Sequence, residues 1–232
     1  VNKVRILPPK GDKPFYAETK IHRIGSGDKI NNYHCLRTHG KECPLCKAYY
    51  KLWDLHKASG AGFNDKSKFS ELARQIKPTP RYYLNVAVRH TNEVKILSVG
   101  DKVYKKIIGT MVGILDEKSG TIISEGMGDV TDVAEGHDFM LILADVGGFN
   151  NYDQSTFAPK PSPAGNKSEV ATMMDSLHDI HALVKVEDYD KVNEVAMNVL
   201  ASVTGQTTNS TSTGGQDHSV DDDNDYLSKL RN

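Results

Sequence analysis

The sequence predicts an α+β fold, mainly β, in the form of a small barrel with peripheral helices. Two patterns carry that prediction. Short alternating apolar runs, broken by turn residues, recur between Val4 and Val146, and stretches of helical periodicity lie between and after them. No repeat of solenoid length is present. The 232-residue chain is 38% hydrophobic, enough for a core but low for its length, so tails or a solvated surface account for part of it.

The elements follow in order. Val4-Arg5-Ile6-Leu7 alternates and stops at Pro8-Pro9, a short strand and turn. Phe15 to Ile24 reads as a second strand closed by Gly25-Ser26-Gly27-Asp28, and Asn32-Tyr33-His34-Cys35 as a third. Lys47 to Leu55 reads as a helix ended by Gly60 and Gly62, and residues 65–76 as another stopped by Pro78 and Pro80. Arg81 to Arg89 alternates as a strand, with Tyr82, Leu84, Val86 and Val88 on one face and Tyr83, Asn85 and Ala87 on the other. Thr91-Asn92-Glu93 turns it into a strand at Val94–Val99. Lys102–Leu115 carries apolar residues at helical spacing; Thr121-Ile122-Ile123 and Phe139–Val146 supply further strands. Helices are expected near 167–184 and 187–202. From Gly205 the chain is Thr, Ser, Gly and Asn followed by Asp221-Asp222-Asp223-Asn224-Asp225, a composition that cannot bury enough surface to order itself.

Net charge is -1, but its distribution is uneven. Residues 1–110 hold 22 lysines and arginines against 9 acidic residues; the remainder holds 7 against 21. A basic half that binds a polyanion and an acidic half that competes for the same surface would show this split. Two ordinary solvated faces would show it too. The aromatics favour the first reading, because 11 of the 17 lie in the basic half, many beside Lys or Arg. Nucleic-acid bases stack on such rings while nearby cations take the phosphates. No run approaches the roughly 20 apolar residues of a membrane span. The opening Val1-Asn2-Lys3-Val4 is neither a signal peptide nor a methionine start, as expected where an N-terminal piece is missing.

All three cysteines fall within twelve positions, at Cys35, Cys43 and Cys46. In a chain without a secretion signal such clustering favours metal over disulfide. Cys43-Pro44-Leu45-Cys46 is a tight knuckle that lets two thiolates meet one ion, Cys35 returns from a short loop, and a histidine completes a tetrahedral set, giving one structural zinc. His34 adjoins Cys35, and on an extended segment it faces the other way. His39, inside the loop, and His22, on the preceding strand, both remain candidates by spacing. A dithiol redox motif is the competing reading, against which the third cysteine and the lack of a βαβ context weigh.

These residues resemble a known family. His22, Cys35, Cys43 and Cys46, with Thr38-His39-Gly40 between the first two cysteines, resemble the zinc segment of the single-stranded DNA-binding (helix-destabilising) proteins of T-even-like bacteriophages. Val4-Arg5-Ile6-Leu7-Pro8 resembles the strand that opens their core, and Gly148-Phe149-Asn150-Asn151-Tyr152-Asp153-Gln154-Ser155-Thr156-Phe157 resembles their Gly-Phe-x-Asn-Tyr-Asp-x-Ser-x-Phe segment. The resemblance covers roughly residues 3–200. It implies an OB-fold-like barrel (1–19 and 77–157), a zinc-binding subdomain (about 20–76), C-terminal helices (about 167–202), a DNA cleft between barrel and subdomain, and a disordered acidic tail (205–232). It favours His22 over His39 as the fourth ligand. It also places Tyr82, Tyr83, Phe149 and Tyr152 on aromatic positions of the family's cleft, with Tyr104 where the family has tryptophan; Phe69 matches more weakly. The Cys35–Cys43 loop is shorter than the family's, Ile96-Leu97 replaces an aromatic, and the family's basic N-terminal arm, which mediates self-association along DNA, is absent from this chain.

Each candidate has an ordinary structural alternative. Tyr82 and Tyr83 cannot face the same way on a strand, so one packs inward if the other stacks. Phe149 and Tyr152 lie in a Gly- and Asn-rich loop where burial is harder to arrange. Arg5, Arg81, Arg89, Lys102, Lys105 and Lys106 are candidates to track phosphates, although any single one of them has the solvated charge as its alternative. Tyr49 and Trp53 are expected in the subdomain core. No nucleophile–base set, paired catalytic carboxylates or phosphate loop is visible. The sequence therefore predicts a non-enzymatic, non-sequence-specific single-stranded DNA-binding protein of phage replication, recombination and repair, acting in the host cytoplasm. Its acidic tail would dock replication and recombination proteins. Its rivals are a zinc-knuckle adaptor with incidental nucleic-acid contact and a thiol oxidoreductase.

Overall fold

In chain order the strands and helices are β1 (Asn2–Ile6), β2 (Tyr16–Ile24), β3 (Asn31–His34), α1 (Pro44–Ala58), α2 (Lys68–Ile76), β4 (Thr79–Val88), β5 (Val94–Gly100), α3 (Asp101–Val112), β6 (Gly113–Leu115), β7 (Ile122–Glu125), β8 (Asp138–Leu141), β9 (Ala144–Val146), β10 (Phe149–Asn151), β11 (Thr156–Phe157), α4 (Lys167–Asp175) and α5 (Tyr189–Thr204). Short 3-10 turns occur at Leu36–His39 and Ile180–Leu183. The structure, a computed structural model, describes residues 2–115, 119 and 121–205. The expected acidic tail from residue 206 onward lies outside the described residues. The chain is α+β and mainly antiparallel, in two compact units: one of Val1–Glu18 and Pro80–Val184, the other of Thr19–Thr79 and the chain from Lys185. No helix among the described residues is long and apolar enough to cross a membrane.

In the first unit β4 is the central strand. It pairs with β1 through Val88↔Val4, Ala87↔Arg5 and Val86↔Ile6, and with β5 from Arg81↔Gly100 to Ala87↔Val94. β1 pairs in turn with β8, and β8 with β11. The ladders leave this an open path of strands, with no pairing between β11 and β5 among the described residues. The predicted alternation holds on β4: Tyr82, Leu84 and Val86 enter a core with Ile6, Val99, Ile107, Val130, Phe139 and Phe157. Ala87, on the opposite face, packs with Leu7, Met173 and Leu177.

Three elements depart from the sequence reading for local reasons. α3 stops at Val112 because Gly113 adopts φ 81°, and a Cβ there would lie 2.5 Å from the Ser124 carbonyl oxygen. Only glycine permits that conformation and that close approach, so the chain turns into the β6–β7 ribbon. The strand expected over Phe139–Val146 breaks in two, because Ser155 is buried and its hydroxyl bonds both backbone groups of Ile142. The helix expected to reach 184 ends at Asp175. Beyond it Asn85 takes both backbone groups of His178: its amide donates to the His178 carbonyl at 2.9 Å and its oxygen accepts from the His178 N–H at 3.0 Å.

Asp138 organises the charged interior of this unit. Its side chain is 1% exposed and sits 2.8 Å from the Arg5 guanidinium, 3.1 Å from Arg89 and 3.0 Å from Lys3. Arg5 is itself fully buried and donates to the carbonyl and hydroxyl of Ser162. This corrects the expectation that Arg5 tracks phosphates. A guanidinium sealed beside a buried carboxylate cannot reach an external anion. Arg89 is drawn into the same cluster and also donates to the carbonyls of Ala164 and Pro163.

The second unit packs α1, α2 and α5 around Leu36, Leu45, Leu52, Trp53, Ile76, Val192 and Val199. α1 starts with Pro44 at its first turn, where a missing N–H costs nothing. α2 starts from a capping box in which Ser67 and Ser70 bond each other's backbone N–H groups. α5 is capped by Asp188 and ends at left-handed Gly205. Tyr49 and Trp53 are buried as expected, and Trp53 stacks on Phe63 with centroids 5.3 Å apart.

Burial works to raise the Asp138 pKa, but Lys3, Arg5 and Arg89 outweigh it and hold the carboxyl below its usual range. With the folded pKa below the unfolded one, the carboxylate's contribution is present in full above the ordinary carboxylate range and is lost as pH falls through the depressed value. Asp138→Asn is expected to cost about 3–5 kcal/mol, because it leaves Arg5 buried without its counter-charge. Denaturant unfolding at neutral pH checks this, and a loss under about 1 kcal/mol would contradict it.

Candidate metal centre and aromatic surface

The metal centre is assembled by three pieces of the second unit. β2 and β3 pair as a hairpin with Ile21↔His34 and His22↔Tyr33, which brings His22 and the Cys35 backbone to one end. The Cys35 N–H donates to the Lys20 carbonyl at 2.8 Å and fixes the return of the chain. Cys43 precedes α1 and Cys46 lies in its first turn, so helix geometry sets their separation.

The four ligand atoms of His22, Cys35, Cys43 and Cys46 all lie within 4.8 Å of one another. The Cys35 and Cys46 sulfurs are 3.4 Å apart, and the His22 Nε2 is 3.5 Å from the Cys43 sulfur and 3.6 Å from that of Cys46. Tetrahedral bonds of about 2.3 Å to sulfur and about 2.0 Å to nitrogen place ligand atoms roughly 3.5–3.8 Å apart, so the donor set fits a tetrahedral cation. The residues are 0–4% exposed. The His22 Nδ1 lies 2.8 Å from the Ile76 carbonyl, which orients the ring and directs Nε2 at the sulfurs. Burial works to lower the His22 pKa, but hydrogen bonds to Cys35 and Cys43 prevail and push it up to about 9. Hydrogen bonds from Cys35 and Cys46 hold the Cys43 thiol low, whereas those that Cys46 makes to Cys35 and Cys43 push it up. His39 instead meets the Lys185 carbonyl at 3.2 Å, and His34 the Thr19 hydroxyl at 3.0 Å. Geometry thus selects His22 over His39.

The first unit carries the rings. Tyr82 and Tyr104 stack with centroids 3.6 Å apart and planes 4° from parallel. Tyr16 leans on both, 4.9 Å from Tyr104 and 6.2 Å from Tyr82. Tyr82 is buried and its hydroxyl is 3.4 Å from Glu18; burial and that carboxylate push its pKa up to about 12. Burial, then its hydrogen bond to Tyr16, also raises Tyr104, so both rings stay neutral. Tyr83, half-buried, lies on the other face of β4, so the two adjacent tyrosines form no common platform. Tyr152 is half-buried against the core, and Phe149, on the β9–β10 ribbon, is 78% exposed.

Lys102, Lys105 and Lys106 are exposed on α3, the helix that carries Tyr104. Lys105 pairs with Asp101 at 2.8 Å, and Lys106 donates to the carbonyls of Asp153 and Ser155, tying α3 to the segment after Tyr152. Arg81 is half-buried on β4. Sequence reasoning missed two contributors. Tyr16 joins the tyrosine cluster, and its place beside Phe15 at a strand start was the available signal. The Ile76 carbonyl left no signal, because a backbone acceptor has no residue signature.

The class so defined is an α+β protein with a buried Cys₃His cluster at metal-binding distances in one unit and stacked tyrosines in the other. The chain belongs to the gp32 DNA binding protein like family, whose model matches residues 1–203. It is 28% identical over 206 residues to the single-stranded DNA-binding protein of Enterobacteria phage T4, and 27% identical to that of Enterobacteria phage T2. Each alignment covers 82% of this chain and 62% of the relative, so the chain spans less than two thirds of the curated relatives' length.

Cys43→Ser is expected to abolish stoichiometric metal binding and to lower the melting temperature, as is prolonged chelation of the unmodified chain. Elemental analysis beside a thermal melt reads both. Full metal content in the variant would remove Cys43 from the ligand set.

Proposed function

We propose that this chain binds single-stranded DNA without sequence preference and without catalysis, in phage DNA replication, recombination and repair. The observation that carries the reading is the Tyr82–Tyr104 stack, whose half-exposed member stands on a helix with three exposed lysines. The rigid inner ring fixes the plane of the outer one, so a base stacking on Tyr104 meets an ordered surface. Every base has a π-face, so such contact tolerates any sequence, and lysines neutralise phosphates without reading bases. Tyr83, Phe149 and Tyr152 supply further rings, and Arg81, Lys102, Lys105 and Lys106 further cations. Arg89 contributes less, because Asp138 holds it. Preference for unpaired strands would melt duplexes by mass action.

In this reading the open path of strands in the first unit is an OB-fold-like, partly open barrel, and zinc is the ion held by His22, Cys35, Cys43 and Cys46. Three sulfurs and one imidazole suit zinc and fill its coordination, leaving no position for a reacting ligand, so its contribution is to stability. The protein works in the host cytoplasm on replicating phage DNA. Replication and recombination proteins engage the acidic tail. The relatives bear the name of single-stranded DNA-binding proteins, which supports the same assignment.

Tyr104→Ala is expected to weaken binding to a single-stranded homopolymer by ~1–3 kcal/mol, roughly 5- to 150-fold, while Tyr104→Phe keeps most of the affinity. Fluorescence titration at several salt concentrations, with single- and double-stranded DNA, measures this. Affinity should fall steeply with salt. Equal affinity for the two strand states would overturn the assignment.

A further inference from the structure

A cavity of about 260 Å³ opens in the first unit between the loop that follows β1 and the segment around the 3-10 turn at Ile180–Leu183. Pro8, Pro9, Pro14 and Phe15 line it from the loop, and the buried Leu177 and Ile180 from the opposite segment. Proline and phenylalanine rings present apolar surface with little conformational freedom left to lose. Asn85 on β4 holds the second wall in place, because its side chain takes both backbone groups of His178. The His181 Nε2, 3.2 Å from the Pro14 carbonyl, ties the loop to that wall. The volume falls just under the roughly 300–1,000 Å³ of sites for drug-sized ligands, which suits one ring system with a short polar extension.

The polar groups of the lining are cations and ring nitrogens. Lys10 and Lys13 are both exposed at its edge, and Lys10 has no ion pair among the described residues. Lys13 meets Asp179 at 4.0 Å with both side chains more than half exposed, an interaction of the kind worth little. The Asp179 carboxylate already accepts from the His181 and Ala182 N–H groups at 3.2 Å. His178 and His181 each direct Nε2 at a backbone carbonyl, those of Val94 and Pro14. A carbonyl can only accept, so Nε2 carries the proton in the neutral rings. Nδ1 of each, without a partner among the described residues, is left as an acceptor.

We propose that this cavity takes a nucleoside monophosphate unit. The base lies against Phe15 and the prolines, an N–H of its pairing edge reaches a histidine Nδ1, and the phosphate meets Lys10 and Lys13. Phe15 also joins the cavity to the tyrosines: its ring is 5.4 Å from Tyr16, which is 4.9 Å from Tyr104. The unit is accordingly one nucleotide of the strand that stacks on Tyr104, a choice of occupant that rests on the DNA-binding reading. Every base carries an N–H on its pairing edge, so the cavity tolerates any sequence. In a duplex that N–H is spent on the complementary base, so the cavity admits unpaired nucleotides only.

Two titrations of the full chain provide the measurement. In the first, thymidine monophosphate is added and the histidine ring signals are followed by NMR, with His178→Gln and His181→Gln giving the assignments. The His178 and His181 signals are expected to move in the unmodified chain and in Tyr104→Ala alike. They are expected to stay still when Lys10→Ala and Lys13→Ala are combined. In the second, a thymidine homopolymer is bound at several salt concentrations. The double lysine variant is expected to bind more weakly and to lower the dependence of log affinity on log salt by about 1. Ring signals that stay still in the unmodified chain, that move equally with inorganic phosphate alone, or that still move in the double variant would each overturn the proposal. A ring response with unchanged homopolymer binding would make a free nucleotide the occupant in place of a strand unit. Equal affinity for single and double strands would remove the DNA-binding reading and leave the first titration to judge the cavity.

Discussion

Charge enclosed away from water must find its counter-charge, and both units of this protein are built around that requirement. In the first unit a nearly inaccessible carboxylate, Asp138, collects Lys3, Arg5 and Arg89. Arg5 is on β1, Asp138 opposite it on β8, and Arg89 follows β4, so the cluster ties three neighbouring strands. Coulombic attraction is strong in such surroundings, but so is the cost of stripping water from each ion, and the arrangement tolerates no unpaired member. Arg5 satisfies that condition by also donating to Ser162.

The second unit meets the same requirement with sulfur. Three cysteines and His22 crowd into a dry space at separations suited to tetrahedral coordination. A cation bound there would add its binding free energy to the folding of this unit, because the four ligands come together only in the folded chain.

The surface features follow from these two anchors. With β1, β4 and β8 held in register, the Tyr82 ring is fixed inside and Tyr104 can lie flat against it. Arg5 and Arg89 are drawn into the interior cluster, whereas Lys102, Lys105 and Lys106 on α3 stay exposed, Lys105 beside Asp101 and Lys106 on the Asp153 and Ser155 carbonyls.

Much of this was legible in the sequence. Alternation at Tyr82–Val88 announced β4, clustered cysteines announced the candidate metal ligands, and the decapeptide from Gly148 pointed to the family, because each is a local pattern in which neighbouring residues carry the signal. The choice between His22 and His39 was not, since spacing permits both; only the β2–β3 hairpin and the Ile76 carbonyl decide it. Nor was the burial of Arg5, whose partner is 133 positions away. The early end of α3 and the break after β8 were likewise set by close approaches from Ser124 and Ser155. Sequence by itself determined what each residue can do chemically and which segments repeat with the period of a strand or helix. Tertiary structure alone decided which charges are consumed inside and which remain outside, because that depends on partners brought together from distant parts of the chain.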